Sequence, residues 1–187
     1  MIRQYPHATE PFLALLRLKV PTEEIELLLP EPTSWCRIYV MAHHDRRYQD
    51  YKSMSAVGVS VRSHSNQGNI EAKDGFRTLE RYFKNDIDLC YNIAECEMES
   101  GHDLQALYAL ESMRNTDPDN IVGSDKYAAL LREQGKATAI NQLAQTVFSI
   151  ADDRPECWLV LSHYAEIKGD KEKALFYVNT VSESARD

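Results

Sequence analysis

The sequence has no apolar run that approaches the roughly 20 residues needed to cross a bilayer. It has no phosphate-binding loop either, since Gly58 and Gly68 lack the Lys-Ser/Thr pair that a P-loop requires. Its four cysteines form no CxxC pair, and Glu10 and Pro11 interrupt what would be an export signal. We therefore expect free buried thiols in place of disulfides, and a cytosolic or nuclear protein.

Basic charge is also in short supply. The formal net charge is −8 over 187 residues, with 43% hydrophobic and 27% charged residues. Nucleic acids and anionic membranes both require a basic surface, so we expect neither as a partner. The composition is that of a folded soluble protein, and the length suits one domain or one continuous repeat array.

Groups with catalytic or metal-binding spacing are few. His43-His44-Asp45 resembles a metal site, but adjacent residues on a helix do not face the same way. Cys157 and His163 could form a nucleophilic pair, although Cys157 fits better as a packed residue with nothing nearby to activate it. The carboxylates are spread around the chain as a solvated face would be. We expect no catalytic residue, no metal and no cofactor.

What the sequence does contain is an internal repeat of 34 residues. Gly101, Gly135 and Gly169 are spaced by 34 and 34. The same register relates four further sets of residues: Cys90, Ser124 and Trp158; Ile93, Tyr127 and Leu161; Ala106, Ile140 and Ala174; Leu110, Ala144 and Val178. Period and residue types match the tetratricopeptide repeat, a helix-turn-helix unit.

Each residue type that recurs in this register has a physical reason within such a unit. Glycine at the end of the first helix can adopt the left-handed conformation that reverses the chain. Asp117-Pro118-Asp119-Asn120 would end one repeat and cap the next, while Pro155 suits an opening helical turn. Apolar residues at helix spacing then predict pairs at 87–100 with 103–116, 122–134 with 137–150, and 155–168 with 171–184.

Upstream of residue 85 the repeat pattern is weaker. We predict short helices from Pro11 to Val20 and Glu23 to Leu29, then one that is capped at Thr33 or Ser34 and carries Trp35. Its partner would run from Phe76 to Phe83. The intervening residues are rich in Ser, Gly, Asn and His, which predicts an inserted loop at about 44–75 with one helical turn near 48–54. The domain division is thus 1–84, degenerate repeats with this loop, and 85–187, three regular repeats.

Stacked helix pairs form a superhelix, or α-α solenoid, whose concave groove is lined by the first helix of each pair. The sequence therefore predicts an all-α tetratricopeptide superhelix with a protein-binding groove of mixed to acidic character. The predicted groove residues are Asp88, Tyr91, Asn92, Glu95, Asp125, Lys126, Arg132, Leu159 and His163.

From about Leu79 onward the chain resembles a particular family of repeat proteins, the subunit 7 family of the anaphase-promoting complex. The resemblance runs through Leu79-Glu80, Asn85-Asp86-Ile87-Asp88-Leu89, Asp117-Pro118, Gly123-Ser124-Asp125-Lys126-Tyr127, Leu130-Leu131-Arg132-Glu133-Gln134-Gly135, Phe148-Ser149-Ile150-Ala151-Asp152, Pro155-Glu156-Cys157-Trp158-Leu159-Val160 and Ala174-Leu175-Phe176-Tyr177. Thr116 departs from it, standing where that family has an apolar residue. Tyr5-Pro6 and Trp35 match more loosely.

The resemblance implies a non-catalytic scaffold in a multisubunit ubiquitin ligase of mitosis, in nucleus and cytoplasm. Its partners would be other subunits of that ligase, including other repeat subunits, and a second copy in a homodimer. Two further hypotheses remain open. One is a repeat adaptor that binds short peptides in another pathway, such as a co-chaperone or trafficking factor. The other is a hydrolase or metal enzyme using Cys157, His163 or His43.

Overall fold

A computed structural model describes residues 9–29, 34–55 and 62–184. Within these ranges every regular element is an α-helix. The chain divides into two compact units, one running to His102 and the other beginning at Asp103. Tyr5-Pro6, which belongs to the looser part of the resemblance, lies outside the described residues.

The helices follow the chain in order. The first unit contains α1 (Glu10–Arg17), α2 (Thr22–Glu26), α3 (Trp35–Ser55), α4 (Arg62–Glu80) and α5 (Ile87–Glu99). The second contains α6 (Asp103–Thr116), α7 (Ser124–Glu133), α8 (Ala137–Ile150), α9 (Pro155–Ile167) and α10 (Lys171–Ser184). The six helices predicted from residue 87 onward are confirmed, each end agreeing to within two residues.

The three periodic glycines adopt the same local structure. Gly101, Gly135 and Gly169 have φ angles of 75°, 71° and 78°, in the left-handed region. In each case the next residue donates its backbone N–H to the carbonyl five positions earlier. These bonds join His102 to Glu97, Lys136 to Leu131, and Asp170 to Ala165, at 2.8, 3.0 and 3.0 Å. This is the Schellman helix ending, and it confirms the reason given for glycine at this position.

The core of the second unit follows the repeat register. Ile140 and Ala174 are buried on the second helix of their pairs, as Ala106 is at the start of the unit. Burial follows the repeat register less well in α10, the last helix of the unit. Leu110 and Ala144 are buried, whereas Val178 of α10 is exposed, together with Leu175 and Phe176.

The predicted loop at 44–75 is wrong where the structure describes it. α3 continues to Ser55 and α4 begins at Arg62, which leaves only 56–61 outside the described residues. Packing explains why α4 is helical despite its glycines and serines. A Cβ added at Gly75 would lie 3.0 Å from the Ala42 Cβ, so the two helices approach closely at this point. Tertiary contact therefore outweighs the poor helix propensity of this segment.

α4 also has a continuous buried face. Ala72, Phe76 and Leu79 are buried at spacings of four and three residues. Phe76 and Leu79, from the segment predicted as the partner helix, lie on this face, whereas Phe83 lies beyond the end of the helix and is partly exposed. A second cluster, Phe12, Ile25, Leu29, Cys36 and Val40, joins α1, the α2 segment and α3. The proposed division at residues 84 and 85 stays a prediction.

Two local predictions need correction. Asp117 and Asn120 were expected to cap α7, but their side chains accept hydrogen bonds from Asp119 and Val122 within the turn itself. The residue before α7 is Gly123, in the left-handed conformation. Trp158 shares its repeat position with the buried Cys90 and Ser124, which predicts a core position for it. It is instead half-buried, and its ring packs against Phe148 and Tyr177.

Candidate protein-binding surface

The predicted groove residues of the first unit lie on α5, and two of them, Asn92 and Glu95, contact Arg46 of α3. The Asp86 side chain accepts a hydrogen bond from the Leu89 backbone N–H at 2.9 Å, which fixes the start of α5. Further along the helix, Arg46 of α3 donates from Nη1 to Asn92 Oδ1 at 3.1 Å. The same guanidinium forms an ion pair with Glu95 and reaches Glu99 Oε1 at 3.6 Å. One cation thus serves three polar residues on successive turns of α5.

This contact changes the interpretation of two predicted groove residues. Asn92 is 7% exposed, and its Nδ2 also donates to the Asp88 carbonyl at 2.6 Å. Its side chain is therefore internal and is not available to bind a partner. Glu95 is held by Arg46 and accepts from the Tyr91 hydroxyl at 2.8 Å. Asp88 remains exposed at the first turn of the helix. The binding role of these residues stays a prediction.

Glu97 is a buried charged residue that the sequence alone did not predict. Its side chain is buried in the first unit at 1% exposure. Arg77 Nη2 lies 2.5 Å from Glu97 Oε1, and Lys73 Nζ lies 3.5 Å from Oε2. His102 Nδ1 is 3.0 Å from Oε2 as well. Burial raises the pKa of Glu97, but the hydrogen bond from Arg77 and the charges of Lys73 and Arg77 outweigh it, so that the pKa is lowered.

The repeat register contained a clue to this burial. Positions 131 and 165, one and two periods after Glu97, are the buried Leu131 and Ala165. A carboxylate at a core position requires cationic partners. Lys73 lies within the segment assigned to a loop and Arg77 stands two residues beyond it, so the pairing could not be anticipated.

In the second unit, Arg132 of α7 and His163 of α9 meet side by side. Arg132 Nη1 lies 3.2 Å from His163 Nδ1, and the same nitrogen forms an ion pair with Glu166. Arg132 and Glu166 are one 34-residue period apart, so equivalent positions of consecutive repeats pair with each other. Burial and the neighbouring Arg132 charge lower the pKa of His163, which keeps the imidazole neutral and able to accept at Nδ1.

The remaining predicted residues of this unit lie on the same two helices. Asp125 is half-buried in the first turn of α7; burial raises its pKa, while backbone N–H groups oppose that rise. Lys126 and Leu159 are half-buried on α7 and α9. We call Asp125, Arg132, His163 and Glu166 the α7/α9 polar cluster. The structure therefore brings Arg132 and His163 into contact, whereas the binding role of this cluster stays a prediction.

The candidate catalytic and metal-binding groups do not assemble into a reactive site. The Cys157 thiol is buried and donates to the Ala151 carbonyl at 2.7 Å. Burial and the nearby Glu156 carboxylate raise its pKa, which opposes thiolate formation. The prediction that Cys157 packs within a repeat is confirmed, and all four cysteines are buried thiols.

The histidines of α3 point to different surroundings. His43 packs its ring against Tyr39 and Phe76, with centroids 4.6 and 5.1 Å away. His44 Nδ1 instead lies 3.1 Å from the Asp45 carboxylate. In the described ranges no three His, Cys, Asp or Glu residues converge as metal ligands would. None of the helices described there is long and apolar enough to span a membrane.

Comparison with known proteins confirms the resemblance found in the sequence. The chain is 27% identical over 94% of its length to anaphase-promoting complex subunit 7 of Arabidopsis thaliana. It is 23% identical over 94% of its length to the human and mouse proteins of the same name. The chain spans 31% of the plant protein and 29% of the human one. No family model matches the chain.

Solved structures support the fold. A crystal structure of MamA aligns over 94% of this chain and 89% of its own, with a TM-score of 0.57 and 12% identity. The MamA MSR-1 C2 structure aligns over 100% of this chain with a TM-score of 0.58 and 11% identity. At such identities the likeness concerns the fold alone. The predicted fold class, an all-α solenoid of tetratricopeptide-type helix pairs, is confirmed.

Proposed function

We propose that the chain is a non-catalytic scaffold segment of an anaphase-promoting complex, acting in nucleus and cytoplasm. It would support assembly of the ubiquitin ligase, and hence cell-cycle-regulated ubiquitination, by binding other subunits. The observation that carries the proposal is the similarity to three subunit 7 proteins over 94% of the chain. Partners on this proposal are other ligase subunits, including repeat subunits, and a second copy in a homodimer.

The arrangement of side chains supports a binding role without chemistry. The polar groups on the first helices pair with one another: Arg46 with Glu95, and Arg132 with Glu166. Such pairs hold the helices in one arrangement, and a rigid surface loses less entropy when a partner binds. The Cys157 thiol, the strongest nucleophile candidate, is buried with a raised pKa.

The test is affinity purification of the tagged chain from its source cells, with mass spectrometry of the proteins recovered. We expect cullin-like, RING and other repeat subunits in stable ratios. A matched comparison uses Arg132→Glu, which reverses one charge of the α7/α9 polar cluster and leaves the buried core untouched. Recovery without any ubiquitin-ligase subunit would refute the scaffold proposal.

The second candidate is an adaptor that binds short peptides in another pathway. The fold likeness to MamA is as compatible with it as with a ligase scaffold, since that likeness concerns helix pairs alone. The same purification separates the two. Chaperones or trafficking components in place of ligase subunits would support the adaptor.

A further inference from the structure

The first unit contains a cavity of about 270 Å³ near the N-terminal ends of α3 and α5. Its lining combines residues from the start of both helices, the end of α4 and the segment that follows it. The lining residues used below are Trp35, Tyr39, Phe83, Asp86 and Asp88. All of them belong to the first compact unit.

Two aromatic rings form adjoining walls. The Trp35 and Phe83 rings meet edge to face, with centroids 5.5 Å apart and planes at 73°. They are 39% and 41% exposed, although large apolar groups gain free energy when they are buried. Tyr39 lies one helical turn after Trp35 and lines the same cavity. In such an edge-to-face pair each ring keeps at least one face that its neighbour does not cover, and that face carries the negative side of the ring quadrupole.

The charged residues at this cavity are acidic. Asp86 and Asp88 both line it, and among the described residues that do so none is basic. One Asp86 oxygen caps α5, while Asp88 is exposed. Tyr39 lines the same cavity as Asp86 and Asp88. Burial raises the pKa of Tyr39, and the charges of Asp88, Asp86 and Glu10 raise it further. Among the described residues that line it, the cavity therefore combines aromatic rings with two carboxylates and no basic side chain.

We propose that this cavity binds the basic side chain of a partner protein segment, an arginine or a lysine. A guanidinium or ammonium group is attracted to the faces of Trp, Tyr and Phe rings. The same group can donate hydrogen bonds to Asp86 and Asp88, with the aliphatic stem along the aromatic walls. The site deepens the proposed protein-binding function but does not depend on which complex the chain joins.

The test is a titration of the full chain followed by the NMR signals of its indole N–H groups. The chain has two tryptophans, so Trp158 of the second unit is an internal control for Trp35. A Trp158→Phe variant assigns the two signals. The probes are acetyl-Gly-Arg-Gly-amide, its lysine counterpart, and the citrulline peptide, which has nearly the shape of arginine without its charge.

We expect the arginine or lysine peptide to shift the Trp35 signal saturably, with affinity about tenfold higher than that of the citrulline peptide. The variant Asp86→Asn with Asp88→Asn should abolish that preference, while asparagine at 86 still caps α5. A matched control, Asp152→Asn with Asp153→Asn, removes the same charge from exposed positions of the second unit and should keep the preference.

Four results would overturn the proposal. They are an unmoved Trp35 signal, an equal response to the citrulline peptide, an equal shift of Trp158, and a preference that survives in the Asp86/Asp88 variant. A purification that recovers no ligase subunit would leave this titration unchanged, so the two proposals can fail independently.

Discussion

Replacing Glu97 by glutamine should destabilise the protein by about 2–3 kcal/mol at neutral pH. A hydrogen bond to a charged group contributes roughly 1.5–3 kcal/mol, and breaking a fully buried ion pair costs roughly 3–5 kcal/mol. The value for Glu97→Gln lies near the first of these ranges because the two cationic partners of Glu97 differ in exposure. The Arg77 side chain is 49% exposed and can be rehydrated, whereas the Lys73 side chain is 17% exposed and is left without its counter-charge.

The loss should depend on pH in a defined direction. The pKa of Glu97 is lowered in the folded protein, so its contribution is complete above the unfolded value, near 4.3. As pH falls below that value and through the folded pKa, the carboxylate takes up a proton and the contribution disappears. The difference between the wild type and Glu97→Gln should therefore be full at pH 7 and should shrink in acid.

Urea denaturation followed by circular dichroism at pH 7 and at pH 3 measures both quantities. Glu133→Gln is the matched control, because Glu133 is an exposed residue of α7, and it should change stability by less than about 0.5 kcal/mol. The argument fails if Glu97→Gln behaves like the control at pH 7. It also fails if the loss is as large in acid as at neutrality, since an ionised carboxylate would then not be its source.

Three further substitutions test the packing by thermal or urea unfolding. Gly75→Leu places a side chain where even a Cβ would lie 3.0 Å from the Ala42 Cβ, so it should destabilise the protein by about 1–3 kcal/mol. An unfolding midpoint equal to that of the wild type would show that α3 and α4 can separate freely. Gly135→Val puts a β-branched residue at a φ of 71° with open space around it, and strain alone should cost about 1–2 kcal/mol. Trp158→Ala should destabilise the protein by about 2–3 kcal/mol, which is less than the roughly 3–5 kcal/mol for a fully buried aromatic side chain, because Trp158 is half-buried. A loss of about 5 kcal/mol would contradict that placement.

The part of the fold that sequence predicted well is governed by local interactions. Gly101, Gly135 and Gly169 each end a helix through their own backbone conformation, so one residue type at one spacing predicts the turn. The predicted ends of the helices from residue 87 onward agree with the structure to within two residues. The α4 helix was missed for the opposite reason, since its stability depends on the contact between Gly75 and Ala42 across two helices. Composition alone made that segment look like a loop.

The candidate surface was harder to predict than the fold. Asn92 and Glu95 have the polar character expected of a groove, yet Arg46 of α3 covers them, and Arg46 lay in the segment assigned to the loop. Glu97 was overlooked since an acidic residue on an acidic helix resembles a solvated one. The pairing of Arg132 with Glu166 was encoded one period apart and could have been read from the register.

The two long helices of the first unit bear on how such a chain tolerates changes in length. α3 and α4 have 21 and 19 residues, against 13 in α5, and at about 1.5 Å per residue α3 exceeds α5 by roughly 12 Å. Arg46 and Lys73 meet α5 within its last two turns, so the surplus lies in the later part of α3 and the earlier part of α4. Residues added there in matching numbers lengthen both antiparallel helices at one shared end and leave every downstream contact in place. Insertions and deletions at that end should therefore accumulate among relatives while the period after residue 87 is kept.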